Sequence, residues 1–433
     1  MFSSSFMQVL FYIFMVISTI NLLHFAFFLI GANMYDIRQM KHRKTVAKLR
    51  TRRRFIKQPL VTVAMSAHNE EKVIIRCLES IRHNTYKNVQ VLVANDASKD
   101  KTARLVADYI KQHPKMDISL YTTRKNIGKG AQLNKILKHH ARGQLSMTLD
   151  ADSILEKDAI ANAVAYFEKD PKIVGVAANV RILDEDSLLG LLQRLEHMVG
   201  YRSKKVYSLT NCEIIIGGVA STYRMDIMRK VGFYDTDTQT EDIGLSMKIA
   251  ALGNREYRLV YAADVVASTE GVETFKGLLK QRYRWKYGNL QNLVKQRQLI
   301  GNRGDHFSRM LTLYRMPMAV LGEIILLLEP LMFAYAMFLV WQMQNPAMFI
   351  GAYLTITLYL LFIVWPDEHM SIKERMRLSV YAPAAYFVFY VMNIVQFSAI
   401  IRCLWHMPKI LTGKQASSTW VSPTRIGREV KTA

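Results

Sequence analysis

The chain has 433 residues, half of them hydrophobic and 21% charged, with a formal net charge of +23. That length suggests two or three domains of roughly 100–200 residues each, and the mixture of apolar and charged residues argues against an all-membrane protein and for a soluble domain joined to membrane helices. Three widely spaced cysteines, Cys77, Cys212 and Cys403, exclude a disulfide scaffold or a cysteine-ligated metal centre. The positive surplus calls for an anionic neighbour.

Met7 to Ile30 is an almost unbroken apolar and aromatic run, long enough to span a bilayer. A cleaved signal peptide is the weaker reading, because the basic residues follow the run instead of preceding it. Arg38 to Lys57 holds much of the positive charge. Lys and Arg beside a span mark the cytoplasmic flank and contact with lipid headgroups, so the N-terminus is expected outside and residue 38 onward in the cytoplasm. Nucleic acid is not expected as a partner, since no nucleic-acid-binding motif accompanies the charge.

From residue 60 to about 300 the pattern is α/β. Leu60–Met65 (LVTVAM) and Val89–Ala94 (VQVLVA) are short β-branched runs, each followed by turn residues and a helical pattern. Ser146–Leu149 runs into Asp150 in the same way, and Ile173–Val176 reads as another strand. Strands alternating with helices predict a mostly parallel sheet, in which ligands sit at the carboxyl ends of strands.

Met310 to Pro366 is apolar again, with expected breaks at Glu329-Pro330 and Asn345-Pro346. A basic loop with Lys373, Arg375 and Arg377 precedes a further apolar segment from Leu378 to Ile401. About three C-terminal membrane helices are expected, with an interfacial helix near 307–320. One N-terminal and three C-terminal spans would place the basic tail (Lys409, Lys414, Arg425, Arg428, Lys431) outside, against the positive-inside rule. One segment is therefore expected to be re-entrant or interfacial. The expected layout is a membrane helix at 1–37, a basic linker at 38–57, a catalytic domain at 58–305, interfacial and transmembrane helices at 306–405, and a basic tail at 406–433.

Four short motifs carry chemistry. Asp150-Ala151-Asp152 places two carboxylates at a strand end, where both can reach one hard cation. A cation there would stabilise a diphosphate as leaving group. Asn95-Asp96-Ala97-Ser98 puts an acid at another strand end, suited to a nucleotide's ribose or base; a turn with Ser98 or Asp100 as helix cap is the plainer reading. Thr240-Glu241-Asp242 precedes a helical pattern, so its acids suit either a helix start or, for Asp242, a general base acting on an acceptor hydroxyl. Gln281-Arg282-Tyr283-Arg284-Trp285 puts Gln281, Arg284 and Trp285 on one helical face. Arg284 suits phosphate and Trp285 suits stacking on a sugar ring; a basic amphipathic helix on the membrane would have the same composition.

Taken in order, and with Ser66-Ala67-His68-Asn69-Glu70, Asn126-Ile127-Gly128-Lys129 and Gly217-Gly218-Val219-Ala220-Ser221-Thr222-Tyr223-Arg224, these motifs resemble those of the processive family 2 glycosyltransferases over about residues 58–300. Within that family the chain is similar to bacterial poly-β-1,6-N-acetylglucosamine synthases, through Asn95-Asp96, through Val231-Gly232-Phe233-Tyr234 ahead of Thr240-Glu241-Asp242-Ile243, and through Trp420-Val421-Ser422-Pro423. Hyaluronan, chitin and cellulose-type synthases share the catalytic motifs, and single transfer to a lipid acceptor is a further alternative. The single N-terminal span departs from members that have two.

The resemblance implies a GT-A-type, Rossmann-like fold joined to transmembrane helices, and inversion at the anomeric carbon. It implies that Glu70 and Asp96 hold the uridine of a UDP-sugar, with Lys129 near the nucleotide. Asp150 and Asp152 would hold nucleotide and a Mg²⁺ or Mn²⁺ ion, and Asp242 would be the base. Gly218, Glu241, Gln281, Arg284 and Trp285 would line the diphosphate and acceptor end. The expected donor is UDP-N-acetylglucosamine, and the product a β-linked biofilm exopolysaccharide. The expected setting is the plasma (inner) membrane, multi-pass, with lipids and a small membrane or export protein as partners. Many members have Asp-Asp-Gly-Ser at the first acidic motif; Ala97 in place of Gly predicts either a turn without positive φ or mild strain.

Overall fold

A computed structural model describes residues 5–52, 58–183, 187–367, 370–412 and 427. The tail motif Trp420–Pro423, the tail residues Lys414, Arg425, Arg428 and Lys431, and the end of the basic run at 53–57 lie outside the described residues.

The chain opens with helix α1 (Ser5–Arg52). The catalytic region follows as β1 (Val61–Ala67), α2 (Ile74–Arg82), β2 (Val89–Asp96), α3 (Thr102–Gln112), β3 (Asp117–Thr123), α4 (Lys129–His140) and β4 (Leu145–Thr148). Its second half holds β5 (Ile154–Leu155), α5 (Ala159–Lys169), β6 (Ile173–Ile182), α6 (Leu188–Leu209), β7 (Ser221–Arg224), α7 (Met225–Lys230), α8 (Glu241–Ala250), β8 (Arg258–Thr269) and α9 (Phe275–Lys295). The apolar C-terminal part comprises α10 (Met316–Met343), α11 (Ala347–Val364), α12 (Ile372–Trp405) and α13 (Met407–Thr412).

The eight strands form one sheet in the order β3-β2-β1-β4-β7-β6-β8-β5. β3, β2, β1 and β4 are parallel, as the alternation of strands and helices predicts. The second half is mixed: β7 runs antiparallel to both β4 and β6, and β5 antiparallel to β8, while β6 and β8 are parallel. β1 is buried on both faces (VTVAMSA), as a central parallel strand requires. α2 buries Ile74, Cys77, Leu78 and Ile81, an i, i+3, i+4, i+7 stripe, against one face of the sheet together with Ile160 and Val164 of α5. Leu133, Ile136 and Leu137 of α4 and Leu245, Met247 and Ile249 of α8 cover the other face.

The apolar helices depart from the sequence expectation in three places. α1 does not stop at the edge of its apolar run but carries the basic residues up to Arg52 as continuous helix. The stretch contains no Gly or Pro beyond Gly31 and is rich in Lys, Arg, Met and Gln, all good helix formers. Pro330 lies inside α10 and does not end it; an apolar helix tolerates such a proline where neighbours re-satisfy the freed backbone groups. Residues 310–315 form a π-helical turn that runs directly into α10, in place of a separate interfacial helix. The break at Asn345-Pro346 is real, with Gln344 left-handed at φ 50°.

Met7–Met40 and Met310–Gln342 are long and apolar enough to cross a membrane, and Phe349–Val364 is a shorter apolar helix. α12 is bent by 71° between Ile372–Ala384 and Phe389–Trp405, with Pro383 at the bend. From one end to the other α12 rests on the catalytic domain. Leu378 and Ala382 pack on Leu191 and Leu195 of α6, Met392 and Val395 on Leu192 and on Leu278 of α9, and Ile400 and Cys403 on Tyr287 of α9. Two ion pairs fasten its start, Arg194 with Glu374 at 3.1 Å and Arg181 with Asp367 at 3.1 Å.

Candidate active site

The site lies where β1, β2 and β4 end. Two loops are laced together there. The Asn69 N–H donates to Ser98 Oγ at 3.0 Å and the Lys99 N–H returns to Asn69 Oδ1 at 2.8 Å. The Glu71 N–H donates to Asp100 Oδ2 at 3.0 Å and the Lys101 N–H to Glu71 Oε2 at 2.9 Å. Ser98 and Asp100 thus bridge the loops, and Asp100 also serves the start of α3, its Oδ1 accepting from the Thr102 N–H at 3.0 Å. Both loops turn through left-handed residues, Asn69 at φ 58° and Ala97 at φ 55°. Of the two readings of Ala97, the strained one holds: a Cβ in this region costs about 1–2 kcal/mol.

Asp96 is buried, and its carboxylate organises the next loop. Oδ1 accepts from the Ile127 N–H at 2.9 Å and Oδ2 from the Gly128 N–H at 2.9 Å, while Gln132 Nε2 donates to Oδ1 at 2.7 Å. Gly128, at φ 84°, allows that turn and starts α4. Glu70 is also buried, with its N–H donated to Thr102 Oγ1 at 2.9 Å. Asp96 thus closes β2 and shapes the loop before α4, while Glu70 sits in the loop after β1.

Lys129, the first residue of α4, reaches the centre of the site. Its Nζ lies 2.5 Å from Asp150 Oδ1 and 3.7 Å from Glu241 Oε1. A Cβ added to Gly218 would lie 2.9 Å from Lys129 Nζ and 3.4 Å from Asp242 Oδ2, so the glycine loop closes directly onto these two groups. Next to Gly218 in that loop, Ala220 is left-handed at φ 52°. Burial pulls the Lys129 ammonium toward deprotonation, but Asp150, Glu241 and Asp242 together hold it above the ordinary lysine value. Asp242 is pushed up to about 6, first by burial and then by the neighbouring Glu241 charge, with Lys129 and Arg284 pulling the other way. A carboxyl near neutrality is what a general base needs.

Asp152 is buried beside this cluster. Its backbone carbonyl accepts from Arg76 Nη2 at 3.2 Å, and Arg76 is fixed by Glu270 at 2.7 Å. Among the described residues no group of three or more His, Cys, Asp or Glu side chains is placed to hold a metal. Asp150 and Asp152 fit a hard cation that takes one or two carboxylates and completes its shell with phosphate and water. The Lys129 ammonium on Asp150 marks that point as one that accepts positive charge.

α9 closes the site from the other side. Arg284 Nη1 donates to the Gln239 carbonyl at 3.3 Å. Asn292 Nδ2 donates to the Thr240 carbonyl at 3.0 Å and to its Oγ1 at 3.1 Å. A Cβ at Gly288 would lie 2.3 Å from Thr240 Oγ1, so the helix touches the Thr240-Glu241-Asp242 turn with no room to spare. Gln281 and Trp285 meet through Arg282, described further below. The structure thus brings Lys129, Asp150, Gly218, Glu241, Asp242 and Arg284 to one point, with Glu70 and Asp96 in flanking loops. Gly288, Gln291 and Asn292 escape motif reading, although they continue the i+3, i+4 spacing of Gln281, Arg284 and Trp285.

An α/β sheet of this topology, with acids at its strand ends and a buried acid at a helix start, has the GT-A-type fold. Residues 62–232 match the glycosyl transferase family 2 model. It is 31% identical over 237 residues to a poly-β-1,6-N-acetyl-D-glucosamine synthase of Staphylococcus epidermidis, covering 54% of this chain and 56% of that protein. It is 32% identical over 263 residues to the synthase of the same name from Staphylococcus aureus, covering 60% of each. The match therefore spans less than two thirds of these curated relatives. A mannosyltransferase from Pyrobaculum calidifontis, solved with GDP-Man and Mn²⁺, shares the fold at TM-score 0.55 and 18% identity, covering 90% of this chain and 99% of that one.

Proposed function

We propose that the protein is a membrane-embedded, inverting hexosyltransferase that polymerises UDP-N-acetylglucosamine into a β-linked exopolysaccharide. The observation that carries this reading is the cluster of Lys129, Asp150, Gly218 and Asp242 at the strand ends, with the Asp242 carboxyl raised to about 6. Similarity to the staphylococcal synthases supports the choice of sugar and of a polymeric product.

In this reading Glu70 and Asp96 set the loops that take the uridine, and Lys129 neutralises the diphosphate. Asp150 and Asp152 are suited to hold Mg²⁺ or Mn²⁺, which would supply further charge neutralisation at the leaving group. Asp242 takes the proton from the acceptor hydroxyl as that oxygen forms a bond to the anomeric carbon and the bond to the UDP oxygen breaks. Gly218 lets the acceptor approach Asp242 where a side chain would intrude. Arg284 faces the charge near Asp242, and Gln281 and Trp285 receive the acceptor end, Trp285 by stacking on a sugar ring.

The catalytic domain is assigned to the cytoplasmic face of the plasma (inner) membrane, where UDP-sugars reside and where the basic end of α1 meets anionic headgroups. α1, α10 and α11 serve as spans, and α12 is the interfacial or re-entrant segment. Its contacts with α6 and α9 support that assignment. Lipids and a small membrane or export protein are the further partners proposed.

The test is to incubate the protein in lipid nanodiscs with Mg²⁺ or Mn²⁺ and a panel of UDP-sugars, following UDP release and product size. Long product from UDP-N-acetylglucosamine alone, cut by a β-1,6-specific hydrolase, supports the reading. A requirement for UDP-glucuronate would replace it with hyaluronan-type synthesis, and short lipid-linked product would replace it with single transfer.

A further inference from the structure

We infer that Arg282, held by Glu196 of α6, is the positioning residue that sets the acceptor end of the site and couples it to membrane helix α12. The inference rests on the proposed role of Gln281 and Trp285 in receiving the acceptor.

Arg282 is 2% exposed. Its guanidinium does three things at once. Nη1 donates to Gln281 Oε1 at 3.0 Å. The guanidinium carbon stands 4.1 Å from the centre of the Trp285 ring, in cation–π contact. Nη2 donates to Glu196 Oε2 in a short, charge-assisted bond. One rigid fork therefore fixes both the amide and the ring assigned to the acceptor.

Glu196 is the anchor, and it is shared. Its other oxygen, Oε1, accepts from Gln396 Nε2 of α12 at 3.4 Å. α12 thus meets the same carboxylate that holds Arg282, which is the contact through which a shift of α12 would reach Gln281 and Trp285. α12 packs against this same region through Met392 and Val395 on Leu192 and Leu278.

Helix packing alone does not require this arrangement. α9 is already fixed against the catalytic turn by Gly288 and by Asn292, and to the membrane part by Tyr287 and by the Lys286–Glu323 pair at 2.7 Å. A buried ion pair adds little to stability compared with apolar residues of similar size. Its fork geometry, in contrast, orients two neighbours that an apolar side chain could not.

The experiment uses the full chain in lipid nanodiscs, with UDP-N-acetylglucosamine as donor and a short β-linked N-acetylglucosamine oligomer as acceptor. The variants are Arg282→Met, Glu196→Gln, Gln396→Leu and Trp285→Ala, with Tm measured for each. Trp285→Ala and Arg282→Met are expected to raise the acceptor KM on the order of tenfold and to shorten the product, with the donor KM changed less than about twofold. Glu196→Gln is expected to do the same more weakly, and Gln396→Leu to shorten the product while leaving both KM values near wild type. If Arg282→Met does not fold, Glu196→Gln, which keeps shape and hydrogen bonding, decides. If Trp285→Ala raises the acceptor KM while folded Arg282→Met or Glu196→Gln leaves both acceptor KM and product length unchanged, the inference is overturned and the proposed function stands. If Trp285→Ala also leaves them unchanged, it is the acceptor assignment that fails.

Discussion

Single residues at this site trade stability for placement. Ala97 sits at φ 55° where a glycine would be relaxed. Ala97→Gly should relieve the Cβ clash at the cost of added chain entropy, for a net gain of about 0.5–1 kcal/mol, read as a rise in Tm with little change in kcat. Asp242 makes the same trade electrostatically. Its folded pKa of about 6 lies above the unfolded value near 3.8. The charged form is thus disfavoured by folding: the group's contribution is fully present below the unfolded pKa and is lost as pH rises through 6. Asp242→Asn should accordingly raise stability near pH 7.5 by about 3 kcal/mol while lowering kcat by roughly 10²–10⁴-fold. In the wild type, kcat/KM should fall about tenfold per pH unit below 6, as the base is protonated. A pH profile flat down to pH 4.5 would exclude Asp242 as the base.

At the scale of elements, the site depends on how α9 meets α8. The contact is backbone-close only because residue 288 is glycine, 2.3 Å being the distance a Cβ would have from Thr240 Oγ1. Gly288→Ala should cost about 1–3 kcal/mol by overpacking and should lower kcat more than it changes the donor KM, because it moves the turn that carries Asp242. Steady-state kinetics beside thermal unfolding checks both. Motif reading found the ends of this contact, Thr240-Glu241-Asp242 and Gln281 to Trp285, since each has a local signature. It did not find Gly288, Asn292 or Glu196, and it gave Arg282 no role within its motif, because a tight approach or an ion pair between distant helices leaves no mark in local sequence. The strands β1, β2, β4 and β6 were legible as β-branched runs. β7 and β8 were not predicted from sequence, and nothing in the run Ser221–Arg224 tells that it lies antiparallel between two parallel halves.

For the whole molecule, the open question from sequence was one of parity among apolar segments. Hydropathy weighs each segment by its own composition and gave α12 the same standing as a span. Its bend of 71° and its contacts with α6 and α9 distinguish it. On the proposed reading α12 does not cross, and Lys409 lies on the catalytic side. A single cysteine introduced at Lys409, in a background lacking Cys77, Cys212 and Cys403, should react with a membrane-impermeant maleimide in inverted vesicles and resist it in intact cells. Labelling in intact cells would make α12 a span and reverse the assignment.

The sequence by itself determined the α/β class, the acids at the strand ends, the apolar segments and the motifs that carry the family resemblance, because each is written in local patterns: β-branched runs, turn residues, spacing on one helical face. It also bounded the strain at Ala97 to two alternatives. Tertiary structure decided what depends on distance between segments far apart in the chain. It placed the Lys129 ammonium on Asp150, the Gly218 loop against Asp242 and the Arg282 fork between Gln281, Trp285 and Glu196. It also folded α12 back onto the catalytic domain. The physical reason is the same throughout: burial, close approach and charge coupling are properties of neighbours in space, and those neighbours become known only once the chain has folded.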